Sequence, residues 1–448
     1  RNAPFSTFTL SVPSKIIFTD STYGWNMFVF DPPILPGQEF SIDFTGSRGR
    51  KGFSNNGVDR TVIENGTMIW SNELFPSFGY DPGRELSNKR ARKKYGLSEE
   101  QDPMLKFDDL EGNKHGILGD DADWVDFEMI LSTDPDQIAM TPGYLQKDTI
   151  KVLDGIERRF FYYKMDQKIH NLFAFVSARY EVLQEDFNGV SLEVYYHKTH
   201  DYNIDKLMDG MKKSIEYYSK IYGPYPYRQC RILEIPKYAS YAASFPNTIP
   251  FSESIGFVMD VDPNDPEDLD MPFWVTAHEM GHQWWPHQVS GGNVQGSAFL
   301  SEGLSEYSDI TPQKYSSILK WGIETENLLP FKQLNTFPGD PKKTILAYGQ
   351  SQSVVRYLID NYGEMKIANL LERIRKIKSY SAIDTEFTNI YGFDLDQLYF
   401  SWKDNLYEEL GIQSPKNKSF INKVFVRNNY FIILSLLVST LVLFILFR

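Results

Sequence analysis

The sequence predicts a multidomain α+β protein that ends in a transmembrane helix. Three observations predict it. Residues 1 to about 203 run in short stretches of alternating apolar and polar residues, separated by Gly, Pro and Asn. That alternation is the period of half-buried strands. From Asp205 the apolar spacing becomes helical, and Tyr430 to Phe447 forms an eighteen-residue run without a charge. A run of that length is at the short end of what spans a bilayer.

The elements follow in chain order. Phe5–Val12, Phe40–Phe44, Trp124–Leu131 and Leu172–Val182 read as strands. Pro36-Gly37, Asn65-Gly66, Asp81-Pro82-Gly83, Pro142-Gly143 and Asn188-Gly189 read as the turns between them. Residues 84–122 are polar and charged and read as a surface excursion. Asp205–Tyr222 places Leu207, Met211, Ile215 and Tyr218 on one helical face. A Pro- and Gly-rich breaker over 222–227 leads into a strand, Cys230–Ile235. The acidic stretch 259–271 reads as a solvated loop, because its spacing does not fit a calcium-binding EF-hand. Helical spacing returns over 351–405. The expected domains are therefore 1–203 (β-rich, lacking its first strands), 204–410 (mostly helical), a basic linker over 411–429 and a membrane span over 430–447.

Composition narrows the function. A chain of 448 residues with 42% hydrophobic content can bury more than one core. The net charge of -13 argues against nucleic acid as a partner. The single cysteine, Cys230, excludes an internal disulfide and a thiolate zinc cluster. The apolar stretch near the C-terminus implies a membrane location. Lys416, Lys418, Lys423 and Arg427 precede it and only Arg448 follows. The side on which the main domains lie stays open, because the chain starts at Arg1 without an initiating Met and reads as an excerpt of a longer protein.

The chemistry is concentrated in His278-Glu279-Met280-Gly281-His282. On a helix, residues four apart share a face, so both imidazoles can reach one metal ion. Glu279 then stands beside the open coordination position, where a carboxylate can accept a proton from water. Nineteen residues (283–301) later comes Glu302, the expected third ligand. Two His and one carboxylate leave a fourth position for water, which is a catalytic rather than a structural arrangement. One zinc ion per chain is the expected cofactor. Glu306, one turn after Glu302, competes for the same role. His287 is off the shared face and reads as structural or as a support behind the ligands.

These motifs resemble the gluzincin zinc aminopeptidases typified by membrane alanyl aminopeptidase, with a likeness spread over residues 25–410. The quoted stretches are Leu35–Phe40, Phe75–Phe78, Tyr222–Tyr227, His278–Trp284 and Leu300–Gly303. The resemblance implies a saddle-like β domain followed by a thermolysin-like catalytic domain and a peptide substrate. It also implies that Tyr348, just before a helix, stabilises the oxyanion, although Gln350 and Ser351 stand where the family has Lys and Gly. The family's amine-binding glutamate motif is absent. Ser244, Asn247, Glu253 and Glu73 are the residues expected to contact substrate. Ser244–Thr248 and Asn293–Gly296 resemble a bacterial branch joined to ABC-transporter permeases, which makes such a permease an expected partner. The expected activity is aminopeptidase hydrolysis at a membrane. The alternatives are a catalytically weak peptide-binding module attached to a transporter and a hydrolase of non-peptide substrates.

Overall fold

The computed structural model describes residues 5–414, except 21–24, 48–61, 79–85, 87, 99–103, 115, 117–122, 263, 266, 267, 269, 286, 288–291, 308–314, 336–339 and 375–381. Its first part is built from small antiparallel sheets. β1 (Phe5–Leu10) pairs with β4 (Ile42–Gly46), and β2 (Ser14–Asp20) with β3 (Trp25–Phe30). β12 (Ala174–Ala178) lies between β5 (Thr67–Trp70) and β8 (Ile138–Met140). β10 (Ile156–Lys164) lies between β7 (Glu128–Thr133) and β9 (Tyr144–Leu153). β6 (Trp124–Val125) pairs with β11 (Ile169–His170). Two short helices, α1 (Ser71–Leu74) and α2 (Lys89–Lys94), interrupt the strands.

A four-stranded sheet follows, in the order β13 (Glu181–Phe187), β14 (Val190–Tyr196), β15 (Gln229–Ile235), β16 (Thr248–Ser252). Asn188 and Gly189 join the first two at φ of +50° and +81°, the left-handed pair that a tight hairpin turn requires. β14, β15 and β16 run parallel. α3 (Ile204–Tyr222) makes the crossover from β14 to β15. β15 is buried on both faces, as a central parallel strand must be. Cys230 and Ile232 join the core under the helices, while Leu233 and Ile235 join a second core with Met140, Phe161 and Val176 of the β-rich part.

The remaining chain is helical: α4 (Met271–His282), α5 (Ala298–Tyr307), α6 (Ser316–Glu324), α7 (Pro341–Tyr362), α8 (Glu364–Ile374), α9 (Ile383–Tyr391) and α10 (Leu395–Glu409). α3 carries the expected apolar face, with Leu207, Met211, Ile215 and Tyr218 all buried. Two glycines let the central helices touch. A Cβ on Gly281 of α4 would lie 2.9 Å from the Ser305 Cα of α5. A Cβ on Gly303 of α5 would lie 2.5 Å from the Ser351 carbonyl oxygen of α7. Only hydrogen fits at either place.

Three expectations need correction. The fold class shown is α+β, and the expected C-terminal transmembrane helix is no part of what is seen: among the described residues no helix is long and apolar enough to cross a membrane. The stretch 430–447, on which that expectation rested, lies outside the described residues. The segment 84–122 is more than a surface excursion, because Phe107 is buried in the helical core and Leu105 and Gly112 accept hydrogen bonds from Gln295 and Asn293. The long helix at 351 begins ten residues earlier. Asp340 caps its first turn and Pro341 stands at its first position, where a missing N–H costs nothing.

Candidate metal centre

α4 opens at Asp270, whose carboxylate accepts the Phe273 N–H, and closes at Gln283. His278 and His282 therefore stand one turn apart on the same helix. Their Nε2 atoms are 3.1 Å apart. α5 brings Glu302 against them, with Oε2 3.8 Å from His278 Nε2 and 3.6 Å from His282 Nε2. The three donor atoms form one compact group.

The far nitrogens explain why these faces point inward. His282 Nδ1 donates to the Trp285 carbonyl at 2.7 Å, supplied by the turn that ends α4. His278 Nδ1 lies 3.1 Å from Glu306 Oε1. With the Trp285 carbonyl at one Nδ1 and the Glu306 carboxylate facing the other, Nε2 is the atom each ring turns toward Glu302. Glu306 is therefore not the competing ligand. It stands behind His278, and its other oxygen accepts the Tyr315 hydroxyl at 2.7 Å. Sequence reasoning missed this role, although its signal was present: Glu306 shares a helical face with Glu302.

The donor set fits zinc. Glu302 is 7% exposed, and its Oε2 is buried without a hydrogen-bond partner. An orphaned carboxylate oxygen facing two imidazole nitrogens is costly unless something cationic satisfies it. Ligands about 2.0–2.1 Å from a tetrahedral zinc lie about 3.3 Å apart, close to the observed edges.

The electrostatics are those of crowded buried charge. Burial pushes the Glu302 carboxyl up to about 7. Burial also raises the Glu279 carboxyl above its ordinary value, against the pull of His278 and His282. For His278 burial acts downward, but Glu306, Glu279 and Glu302 outweigh it and hold the imidazole at about 9. Burial and the neighbouring His278 push His282 down to about 4. Burial and His170 push His287 down to about 3. His287 Nε2 donates to the Ser244 carbonyl at 2.9 Å, so it braces the loop beside the site.

Tyr348 comes from α7, in its second turn rather than ahead of the helix. Its ring centroid is 6.4 Å from that of His278, and its hydroxyl hydrogen-bonds Glu302. Burial, Glu302 and Glu306 push its phenol well above the ordinary range, so it remains a donor. Gln350 clamps the Leu329 backbone, accepting from its N–H at 3.3 Å and donating to its carbonyl.

The four expected substrate contacts divide. Ser244 Oγ accepts from Gln283 Nε2 at 2.5 Å, and the Asn247 N–H donates to Gln283 Oε1 at 3.1 Å. Gln283 thus ties the 244–247 loop to the residue after His282. Asn247 is fully buried, and its Oδ1 accepts from Gly143 N at 3.3 Å. Glu253 is drawn into a different group, with His200 and Glu234. Glu73 sits on α1 and accepts from the Trp70 N–H at 3.4 Å.

No curated protein matches the chain. The family model of the Peptidase MA superfamily matches residues 262–408, the span that contains α4, α5 and α7, and this match supports reading that part of the chain as a metallopeptidase domain of gluzincin type.

Proposed function

We propose that the protein is a zinc-dependent peptidase with His278, His282 and Glu302 as ligands. The observation that carries this reading is the buried Oε2 of Glu302, without a hydrogen bond, opposite two Nε2 atoms whose rings face protein acceptors on their far side. Zinc held there supplies Lewis acidity toward the scissile carbonyl and lowers the pKa of water. Glu279 accepts the proton of the attacking water and returns it to the leaving nitrogen. Its burial suits that work, because a raised carboxyl pKa lies closer to the pH at which a group both takes and gives a proton. Tyr348 donates its phenol hydrogen to the developing oxyanion, a charge present mainly in the transition state.

The finer reading is aminopeptidase action, with Glu73 as the carboxylate for the substrate's free amine. It follows Trp70, whose ring packs against Tyr241 and Phe245 at 6.3 and 4.9 Å. That segment also carries Ser244, the partner of Gln283. The test is cleavage of a peptide library with free and blocked N-termini by the full chain, before and after chelation. Cleavage that chelation abolishes and zinc restores is expected, with free N-termini preferred. Cleavage indifferent to chelation contradicts the metal reading, and equal cleavage of blocked peptides contradicts the aminopeptidase reading.

A further inference from the structure

A second group of metal-ligating side chains lies outside the site just described. His200 Nδ1, one oxygen of Glu234 and one of Glu253 fall within 4.8 Å of one another. His200 Nδ1 is hydrogen-bonded to Glu234 Oε1 and lies 3.8 Å from Glu253 Oε2. We propose that these three residues form a second divalent-metal site that pins the linker between β14 and α3 to the sheet.

The topology brings the three donors together. Glu234 is the penultimate residue of β15, Glu253 directly follows β16, and His200 lies in the linker after β14. These are neighbouring parallel strands, so the three donors meet at one carboxyl edge.

The donors are also held in place. Glu234 Oε2 accepts the His197 N–H at 2.6 Å, and the Glu234 carbonyl accepts the Tyr180 hydroxyl at 2.6 Å. Glu253 Oε1 accepts the Lys237 N–H at 3.0 Å. Asn203, three residues after His200, donates to the Gly256 and Met259 carbonyls at 2.9 and 2.8 Å. The linker and the turn carrying Glu253 are therefore stitched together on both sides of the group.

Charge gives the reason for a cation. The Glu234 side chain has no exposed surface, and those of Glu253 and His200 are 18% and 26% exposed. His200 faces both carboxylates, and His197 is a second imidazole that acts on Glu234 through its charge. Two carboxylates that face imidazoles, which carry charge only when protonated, leave negative charge in excess at a poorly solvated place, which is costly unless it is paired. One nitrogen and two carboxylates suit zinc or manganese better than calcium, which takes oxygen ligands. An entering ion displaces the proton shared by His200 Nδ1 and Glu234 Oε1 and releases it to solvent. That contact then opens to a ligand–ligand edge of about 3 Å, a small rotation for a partly exposed imidazole.

The test separates the two sites. The full-length His278→Ala, His282→Ala variant is equilibrated with zinc, desalted and analysed for metal. One equivalent is expected to remain, and adding Glu253→Gln to that variant is expected to remove it. Bound zinc near zero before that addition overturns the proposal. In case the double variant does not fold, calorimetric zinc titration of the unmodified protein provides a second readout. Two classes of site are expected, with the weaker class lost in Glu253→Gln and the tighter one kept. A titration in which Glu253→Gln removes no class overturns the proposal. Neither readout depends on peptide hydrolysis, so an inactive first site leaves the result interpretable.

Discussion

The two histidine–carboxylate groups differ in what holds their imidazoles. In the group on α4 and α5, protein acceptors stand at the outer nitrogens, Trp285 O behind His282 and Glu306 behind His278. Their Nε2 atoms face a carboxylate oxygen that has no hydrogen-bond partner. In the group at the sheet edge, His200 spends its inward nitrogen on Glu234, so an ion there must first displace a proton. The first group is prepared for a metal by its supports, whereas the second is an ion pair that a metal can convert. The first should therefore bind more tightly and hold its geometry under substrate, which is what catalysis demands.

The comparison can be broken from several sides. The largest effect is expected from His278→Ala with His282→Ala. Peptide hydrolysis should fall to background and the tighter zinc class should vanish, as followed by kinetics and elemental analysis. Tyr348→Phe should come next, with turnover reduced by up to about 10²–10³-fold and the Michaelis constant little changed. An unchanged turnover with a raised Michaelis constant would make Tyr348 a binding residue only. Glu306→Gln keeps the shape behind His278 but removes the charge. It should weaken zinc binding at the first group by about 10–100-fold, as measured by competition with a chelator, and leave the second group untouched. The smallest effect is structural. Gly303→Ala forces a methyl group onto the Ser351 carbonyl and should lower stability by about 1–3 kcal/mol in denaturant unfolding.

Much of this was legible in the residues. The i, i+4 histidines, the face of α3 and the Asn188-Gly189 hairpin are local patterns, and the structure shows the helix and the turn where the spacing put them. What could not be read is which way a polar side chain turns once helices pack. Glu302 and Glu306 share a face of α5, yet one meets both Nε2 atoms and the other lies behind His278. Glu253 has the chemistry to hold a substrate amine, but the parallel pairing of β15 with β16 delivers it to Glu234. Phe107 sits in a polar stretch, so no periodicity announces its burial against the helical core. Tyr348 reads as standing just ahead of a helix, yet it lies within α7. Asp340 and Pro341 start that helix earlier all the same.

The central claim is that Glu279 moves the proton while His278, His282 and Glu302 hold the metal. The most direct measurement pairs zinc content with peptide hydrolysis in the full-length Glu279→Gln variant. The amide keeps the shape of the side chain and removes its basicity. The account predicts zinc content equal to that of the unmodified protein and hydrolysis lower by about 10²–10⁴-fold. Hydrolysis near the unmodified rate would contradict the assignment of Glu279 as the proton carrier, and loss of zinc would contradict the claim that it is not a ligand.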